Sequence, residues 1–295
     1  MSLIDAGEYD AAYEMLEKLG NTEAIAASKY DRAMEYIDAR DYEAAFTFLN
    51  GLNYKDSEEH SESVLQMIKQ ENIGLYCSLI YNTADVGDTL FFGAYEQDND
   101  MANGKENITW RILVKEDNRM LLISEYALDC KPYNTIYEDV TWETCSPRKW
   151  LNHNFMNVAF SAEEKKMIPS VSVSAGKNPK CSTDPGNATS DRIFLLSVRE
   201  ADYYFSSYSK AGYYFSDYDA KQCEPTAYAI ANGAETDNDT YLKGGTTVCN
   251  WWLRSPGTDQ KCATIIDIPG GFNIYASVNR DVFCVRPAMW IDIEN

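Results

Sequence analysis

The side chains best suited to nucleophilic or soft-metal chemistry are eight cysteines. They are Cys77, Cys130, Cys145, Cys181, Cys223, Cys249, Cys262 and Cys284. No two of them form a C-x-x-C pair, so the sequence indicates neither a zinc ribbon nor a thioredoxin-like site. Because scattered cysteines in apolar contexts usually act as small buried side chains, we predict a structural role for most of them. One or two disulfides are the alternative.

The chain has two histidines, which limits conventional acid–base chemistry. His60 lies in the N-terminal part. His153, in KWLNHNF, could activate the thiol of Cys145 or Cys130. A single histidine on an amphipathic helix is more often structural or exposed, and the sequence has no phosphate loop, nucleophile elbow or H-E-x-x-H motif. We therefore predict no catalytic residue.

Two acidic loops offer oxygen ligands of the kind that Ca²⁺ requires. One is QDNDMANG, with Asp98 and Asp100, and the other is ETDNDT, with Asp237 and Asp239. Neither follows the EF-hand pattern, and acidic turns are usually solvated. The sequence therefore predicts no metal and no cofactor.

The aromatic residues are the main candidates for ligand binding. The segment from Asp202 to Gly233 mixes tyrosine with serine, glycine and asparagine, a composition typical of antibody paratopes. We predict that it contributes Tyr204, Tyr208, Tyr213, Tyr214 and Tyr218 to a ligand site.

A second aromatic motif, NWWLRSPG, adds Trp251, Trp252 and Arg254 to the candidate ligand residues. The favoured interpretation of this motif is packing, with Arg254 and Arg286 satisfying loop carbonyls or carboxylates. A carboxylate clamp for a ligand is the alternative.

The net charge of the chain disfavours polyanionic partners. The net charge is −20 and no basic run interrupts it, so a nucleic-acid backbone or an anionic membrane surface would be repelled. The start of the chain lacks the basic and apolar regions of a secretory signal. No stretch approaches the about 18 apolar residues that span a bilayer. We expect no membrane insertion and leave open whether the protein is cytoplasmic or part of a surface protein.

The first 70 or so residues contain a repeat. GEYDAAYEMLEKL, from Gly7, aligns with RDYEAAFTFLNGL, from Arg40, at an offset of 33 residues. This period is typical of paired-helix solenoid repeats. Asn21 or Thr22, and Asp56 or Ser57, are expected to cap the second helices. The segment resembles tetratricopeptide-like repeats, which implies a spacer or a surface that contacts another protein.

The rest of the chain predicts an α+β domain with a mainly antiparallel sheet. GDTLFFGAY, NITWRILV and NRMLLISEY read as a β-meander. Helices are expected at SPRKWLNHNFMNVAF, SAEEKKMI and SVREADYYF, the last two with Ser161 and Ser197 as N-caps. Strands return at CATIIDI, GFNIYAS and FCVRPAMWID. The predicted division is 1–72 for the helical repeats, 73–87 for a linker and 88–295 for the main domain.

The motifs ITWRIL, LLISEYALDC, VTWETCSPRKWLN, DRIFLLS, WWLRSPG and VRPAMW occur in this order. Together they resemble an uncharacterised bacterial domain family related to the formylglycine-generating-enzyme type of C-type lectin fold. The resemblance implies a C-type-lectin-like fold and does not imply an activity. The copper-binding cysteine pair of those oxidases has no counterpart here at short spacing, and Glu224-Pro225-Thr226 only approximates the calcium-binding tripeptide of sugar-binding lectins.

The sequence thus favours a non-catalytic module that recognises a protein, peptide or glycan. One alternative is a copper-dependent oxidase. Another is the variable receptor of a diversity-generating system, which uses the same fold and would vary around residues 272–283. These classes differ in whether two convergent thiols are essential.

Overall fold

The computed structural model describes residues 15–16, 18–206, 220–237 and 247–293. The chain divides into two compact units, Met1–Leu79 and Ile80–Asn295. The boundary falls within the segment 73–87, which the sequence predicts as a linker, and inside a helix. In the described part of the chain, no helix is both long and apolar enough to cross a bilayer.

The first unit is helical. Its helices are α1 Thr22–Asp38, α2 Tyr42–Leu49, α3 Ser57–Glu71 and the start of α4 Ile73–Thr83. Asn21 caps α1 by accepting a hydrogen bond from the backbone N–H of Ala24 at 3.1 Å, as predicted. Asp56 occupies the N-cap position of α3, but its carboxylate accepts from the Tyr30 hydroxyl instead. The first copy of the predicted repeat lies mostly outside the described residues.

The second unit contains the strands. They are β1 Thr89–Tyr95, β2 Glu106–Glu116, β3 Arg119–Ser124, β4 Asp129–Cys130, β5 Val171–Val173, β6 Thr189–Asp191, β7 Ile193–Phe194, β8 Thr236–Asp237, β9 Val248–Cys249, β10 Trp251–Pro256, β11 Cys262–Ile266, β12 Phe272–Ser277, β13 Cys284–Val285 and β14 Ala288–Asp292.

Within the described residues these strands form two five-stranded sheets and two short two-stranded sheets. The first sheet has the order β1-β2-β3-β14-β7 and is antiparallel throughout. The second has the order β12-β11-β10-β13-β4, in which only β10 and β13 are parallel. The predicted α+β class and the β1-β2-β3 meander are confirmed.

One predicted strand, FCVRPAMWID, is divided between the two sheets. Cys284 and Val285 pair in the second sheet, whereas Ala288 begins the strand that completes the first. Pro287 stands between them and has no N–H to donate to a ladder, so pairing is interrupted there. This crossing links the two sheets covalently.

Short helices cover the sheets. They are α5 Ser146–Trp150, a π-helix Leu151–Phe155, α6 Met156–Ala159, α7 Ala162–Met167, α8 Val198–Ser206 and α9 Ala227–Ala231. Ser161 and Glu164 form a reciprocal capping box at the start of α7. Ser197 and Glu200 exchange the same pair of hydrogen bonds at α8, at 3.3 and 2.8 Å. Both serine caps were predicted.

The NWWLRSPG motif lies in the core, as β10. Trp251 and Trp252 are fully buried, and their indole N–H groups donate to the carbonyls of Lys221 and Lys131 at 3.0 and 2.9 Å. Burial of both rings agrees with the packing interpretation, because each ring contributes apolar area while its N–H group is satisfied.

The Arg254 guanidinium is also buried and joins three separate segments. It donates to the carbonyls of Ser174 and Leu195 at 2.9 and 2.7 Å, and it forms a two-pronged ion pair with Glu200. Burial acts to raise the pKa of Glu200, but the hydrogen bonds and charge of Arg254 outweigh it and leave the pKa below its usual value. Arg254 is therefore a structural anchor.

We predict that Glu200→Gln lowers the free energy of unfolding by about 2 to 3 kcal/mol, because it leaves the buried Arg254 without its counter-charge. The loss is expected to be smaller than for a fully buried pair, since the Glu200 side chain is 32% exposed. Urea unfolding followed by tryptophan fluorescence measures it, because all six tryptophans belong to the second unit.

The control is Glu163→Gln, which removes an exposed i,i+3 ion pair with Lys166 and should cost about 0.5 kcal/mol or less. A lowered carboxylate pKa stabilises the fold above the unfolded-state pKa, and this contribution is lost as the pH falls through the folded-state value. The difference between wild type and Glu200→Gln should therefore shrink in acid. Equal losses in the two variants would contradict the anchoring role.

Candidate functional site

A pocket of about 510 Å³ opens where edge strands of the two five-stranded sheets approach each other. The end of β1 supplies Tyr95 and the strand β4 supplies Asp129, while the helical segment 146–159 covers the cavity. Pockets of this size are typical of sites for small ligands or for parts of larger ones. This cavity is the candidate functional site.

Aromatic rings form one wall of the pocket around Tyr95. Its ring centroid lies 5.1 Å from Phe155, 5.8 Å from Tyr228 and 6.3 Å from Trp150, each in an edge-to-face arrangement. Tyr95 and Phe155 are buried, whereas Trp150 and Tyr228 are partly exposed. The two partly exposed rings therefore offer apolar surface at the opening.

The π-helix explains how Trp150 and Phe155 reach the same wall. A π turn hydrogen-bonds residues five apart, so residues i and i+5 come onto one face. Trp150 and Phe155 have this spacing, and their centroids lie 5.1 Å apart. Single π turns occur frequently at functional sites. The sequence predicts this segment as an ordinary helix, and the local pattern does not reveal the π turn.

Asp129 is the more deeply buried of two acidic residues that line the pocket and are themselves buried, with 1% of its surface exposed. Its carboxylate accepts from the Tyr95 hydroxyl at 2.8 Å, the Cys130 N–H at 2.8 Å and the Asn232 amide at 3.1 Å. The Lys131 ammonium lies 3.0 Å from the same carboxylate. Donors from four residues therefore compensate its burial, as a buried charge requires.

Lys131 places a positive charge at the pocket wall. Its ammonium lies 4.7 Å from the centre of the Trp150 ring, in a cation–π arrangement, and its side chain is 30% exposed. The Trp252 indole N–H donates a hydrogen bond to the Lys131 backbone carbonyl. Trp252 thus supports the pocket without lining it.

The loop between β1 and β2 forms the opposite wall, through Glu96, Met101, Gly104 and Lys105. The Lys105 ammonium donates to the Val158 carbonyl at 2.7 Å, which ties the loop to α6 at the rim. The Tyr228 N–H donates to the Gln97 carbonyl at 3.0 Å, which ties the loop to α9.

Burial and the Asp129 carboxylate raise the pKa of Tyr95 above its usual value. Burial and the nearby Glu106 carboxylate raise the pKa of Glu96. Tyr95 is therefore a neutral hydrogen-bond donor at neutral pH rather than a proton acceptor. The pocket offers aromatic faces, hydroxyl and amide groups, an ammonium and carboxylates.

The structure separates the predicted ligand residues into three groups. Trp251, Trp252 and Arg254 are buried in the core. Tyr204 is partly exposed on α8, where burial raises its pKa to about 12 and its ring lies 5.3 Å from that of the exposed Tyr203. Tyr208, Tyr213, Tyr214 and Tyr218 lie outside the described residues. None of the four described ones lines the pocket.

Four cysteines that are far apart in sequence come together in the core. The Cys249 thiol interacts with those of Cys223 and Cys284, and the Cys284 thiol interacts with that of Cys130. Burial raises the pKa of Cys249, and the hydrogen bond with Cys130 raises the pKa of Cys284. All four are free thiols with at most 7% of their surface exposed. We call them the thiol row.

The thiol row could not be predicted from the sequence, because strand pairing brings these cysteines together and their spacing along the chain does not. Cys284 faces Cys130 across the β13–β4 ladder, and the Cys249 N–H donates to the Cys223 carbonyl. Pairs of cysteines brought together in a sheet cannot be found by counting residues between them.

The other residues that the sequence offered for catalysis or calcium binding lie in environments that do not suit those roles. His153 is exposed, while Cys145 is fully buried and burial raises its pKa to about 12, which is the reverse of an activated thiol. Pro225 forms a β-bridge with Ala127, and Thr226 caps α9. The near match to a lectin calcium tripeptide therefore serves to hold α9 beside the pocket.

The pocket residues themselves left few signals in the sequence. Asp129 and Lys131 sit in DCK, between Leu128 and Pro132, and a carboxylate beside buried strand residues was the available indication. Trp150 stands at the centre of a predicted amphipathic helix, where a core role is the usual interpretation.

Residues 117–293 match the family model described as "Domain of unknown function (DUF6273)". Because the match covers more than half of the 295 residues, the chain belongs to this family. Asp129, Lys131, Trp150 and Tyr228 lie inside the matched span, whereas Tyr95 and the β1–β2 loop precede it. No curated protein and no solved structure gives a significant match.

Burial of the thiols leads to a direct prediction. In the native protein a thiol reagent should react promptly only with Cys181 and Cys262, which are partly exposed, and burial raises the pKa of the latter. The other six of the eight cysteines should react only as the protein unfolds. Absorbance with a chromogenic disulfide reagent gives the count, and Cys181→Ser should remove the fastest phase. Prompt reaction of Cys130, Cys249 or Cys284 would contradict the burial of the thiol row.

Proposed function

We propose that the second unit, which contains the DUF6273 match, is a non-catalytic recognition module whose pocket holds part of a protein, peptide or glycan ligand. The observation that carries the proposal is the convergence of aromatic rings and polar groups on one cavity of about 510 Å³. The aromatic segment that includes Tyr204 remains a second candidate surface.

The chemistry of the walls defines what would fit. Trp150 and Tyr228 offer flat apolar faces, and the Lys131 ammonium and the Asn154 amide offer hydrogen bonds at the opening. A ligand group with an apolar face and hydroxyl or amide edges satisfies both, which describes a sugar ring or a polar side chain. Bulk nucleic acid is disfavoured because the net charge is −20.

Binding is favoured over catalysis by the state of the polar groups. Asp129 already accepts from four donor residues within the described chain, so its oxygens are engaged by the protein itself. The raised pKa of Tyr95 keeps its phenol neutral. Groups held in this way are suited to orienting a ligand in a pocket.

The fold assignment within this proposal is C-type-lectin-like. The motifs that resemble the formylglycine-generating-enzyme type of that fold, and the antiparallel sheets with short covering helices, support it. For the helical unit we propose tetratricopeptide-like repeats that act as a spacer or as a second surface for another protein. The consecutive packing of α1 on α2 and α2 on α3 supports this role.

Copper-dependent oxidation is a second candidate, and the thiol row is the observation in its favour. Adjacent sulfurs such as those of Cys249 and Cys284 are the ligands that Cu(I) prefers. Their burial and raised pKa values act against it, because a substrate and a thiolate are both required at such a site. Stoichiometric copper that is lost in Cys249→Ser would favour this function over recognition.

The pocket is tested by screening the purified protein against glycan and peptide arrays and measuring the Kd of each hit. Trp150→Ala should raise the Kd about 30-fold, since removing a central aromatic contact costs about 2 kcal/mol. Val158→Arg should also weaken binding, because Val158 is 47% exposed at the rim and the longer side chain would obstruct the opening.

Two tyrosines outside the pocket provide comparison variants. Tyr275→Ala removes an aromatic side chain that is 72% exposed on β12, away from the lining of the pocket, and should leave the Kd unchanged. Tyr204→Ala separates the two candidate surfaces. Loss of binding in Tyr204→Ala with normal binding in Val158→Arg would transfer the ligand site from the pocket to the aromatic segment.

A further inference from the structure

Three carboxylates meet where the β1–β2 loop begins and ends. Glu96 follows the last residue of β1, Glu106 is the first residue of β2, and Asp98 lies in the loop between them. One oxygen from each residue lies within 4.8 Å of the other two. We call this group the acidic cluster. It is separate from Asp129, although Glu96 also lines the pocket.

Glu96 distinguishes this cluster from an ordinary solvated acidic turn. Only 7% of the residue is exposed, and its Oε1 atom is buried without a hydrogen-bond partner. A buried carboxylate oxygen normally has a donor or a cation beside it, because the loss of hydration is otherwise uncompensated. The Asn99 backbone N–H reaches the Glu96 carboxyl group, and the Asp98 and Glu106 carboxylates lie within 4.8 Å of it.

The loop already satisfies the other two carboxylates in part. Asp98 accepts from the Asp100 N–H at 2.8 Å and from the Asn103 amide at 2.6 Å. Glu106 accepts from the Gln97 N–H at 2.7 Å. These bonds fix the carboxylates close together, and neutral donors leave their negative charges in place.

No basic side chain neutralises the cluster among the described residues. Lys105, which is adjacent in sequence, directs its ammonium to the Val158 carbonyl instead. Three converging carboxylates therefore receive no counter-charge from the part of the chain that the structure describes, and like charges at this separation repel one another.

We propose that Glu96, Asp98 and Glu106 form a divalent-cation site that prefers Ca²⁺. Ca²⁺ binds six to eight oxygens at about 2.3 to 2.6 Å, so oxygens on opposite sides of the ion are up to about 5 Å apart. Separations within 4.8 Å fit that arrangement. Mg²⁺ requires a tighter octahedron at about 2.0 to 2.1 Å, which a set fixed by an irregular loop suits less well.

The site would clamp the loop that forms one wall of the pocket. Met101, Gly104 and Lys105 belong to this loop, and a cation held by residues at its beginning, middle and end would fix its path. The inference does not depend on the proposed ligand, because binding of the metal itself is measured.

The primary experiment is thermal unfolding of the second unit, followed by tryptophan fluorescence, in excess chelator and in CaCl₂. The wild-type Tm should rise in a saturable manner, by about 5 to 10 °C when Ca²⁺ exceeds its Kd about 100-fold. Mg²⁺ at the same concentration should produce a smaller rise.

The decisive variant is Glu96→Gln, which preserves shape and removes one charge. In chelator it should unfold at the wild-type temperature or above, because repulsion within the acidic cluster is relieved. In Ca²⁺ it should unfold below the wild type, because a ligand is lost. Asp98→Asn should likewise weaken Ca²⁺ binding at least about tenfold. The control is Asp117→Asn, an exposed acid beyond the other end of β2, which should retain the full Ca²⁺ response.

Terbium luminescence provides a second readout that does not depend on variants folding. Tb³⁺ bound at the cluster would be excited through Tyr95, which precedes Glu96, and Ca²⁺ should displace it at one site. A wild-type Tm that is independent of Ca²⁺, together with no displaceable Tb³⁺, would overturn the proposal and indicate that Glu96 and Asp98 share a proton instead. An equal Ca²⁺ response in wild type and Glu96→Gln would also overturn it.

Discussion

A carboxylate removed from water must be surrounded by donors, and Asp129 imposes this requirement on the whole second unit. Its partners come from β1 through Tyr95, from β4 through Cys130 and Lys131, and from the turn after α9 through Asn232. The two five-stranded sheets can therefore approach each other only in an arrangement that delivers these donors. The pocket is the space that remains in front of them, covered by the helical segment and its π turn.

The NWWLRSPG motif supports the pocket from within the core. Trp252 lies behind the pocket and holds the Lys131 carbonyl, while Arg254, two residues further along β10, joins Ser174, Leu195 and Glu200. Residues that appeared suited to bind a ligand because of their types instead satisfy the backbone of the segments around them. The surface left for a ligand is formed by their neighbours in space.

Local rules accounted for the elements that could be predicted. The alternation of apolar and polar residues predicted the β1-β2-β3 meander, and a serine at the start of a helical segment predicted the caps at Ser161 and Ser197. Features that depend on pairing between distant strands were missed: the thiol row, the division of the last strand at Pro287, and the donors around Asp129. The spacing of Trp150 and Phe155 suited the π turn, but the same pattern is compatible with a plain helix.

The central claim is that a ligand enters the pocket in front of Asp129, and the indole N–H signals of the six tryptophans report on it most directly. In a two-dimensional NMR titration with any glycan or peptide that binds, the Trp150 signal should shift progressively. The signal of Trp290, which lies on β14 beneath Arg119, should remain in place. Saturable binding that shifts other signals and leaves Trp150 unchanged would contradict the account.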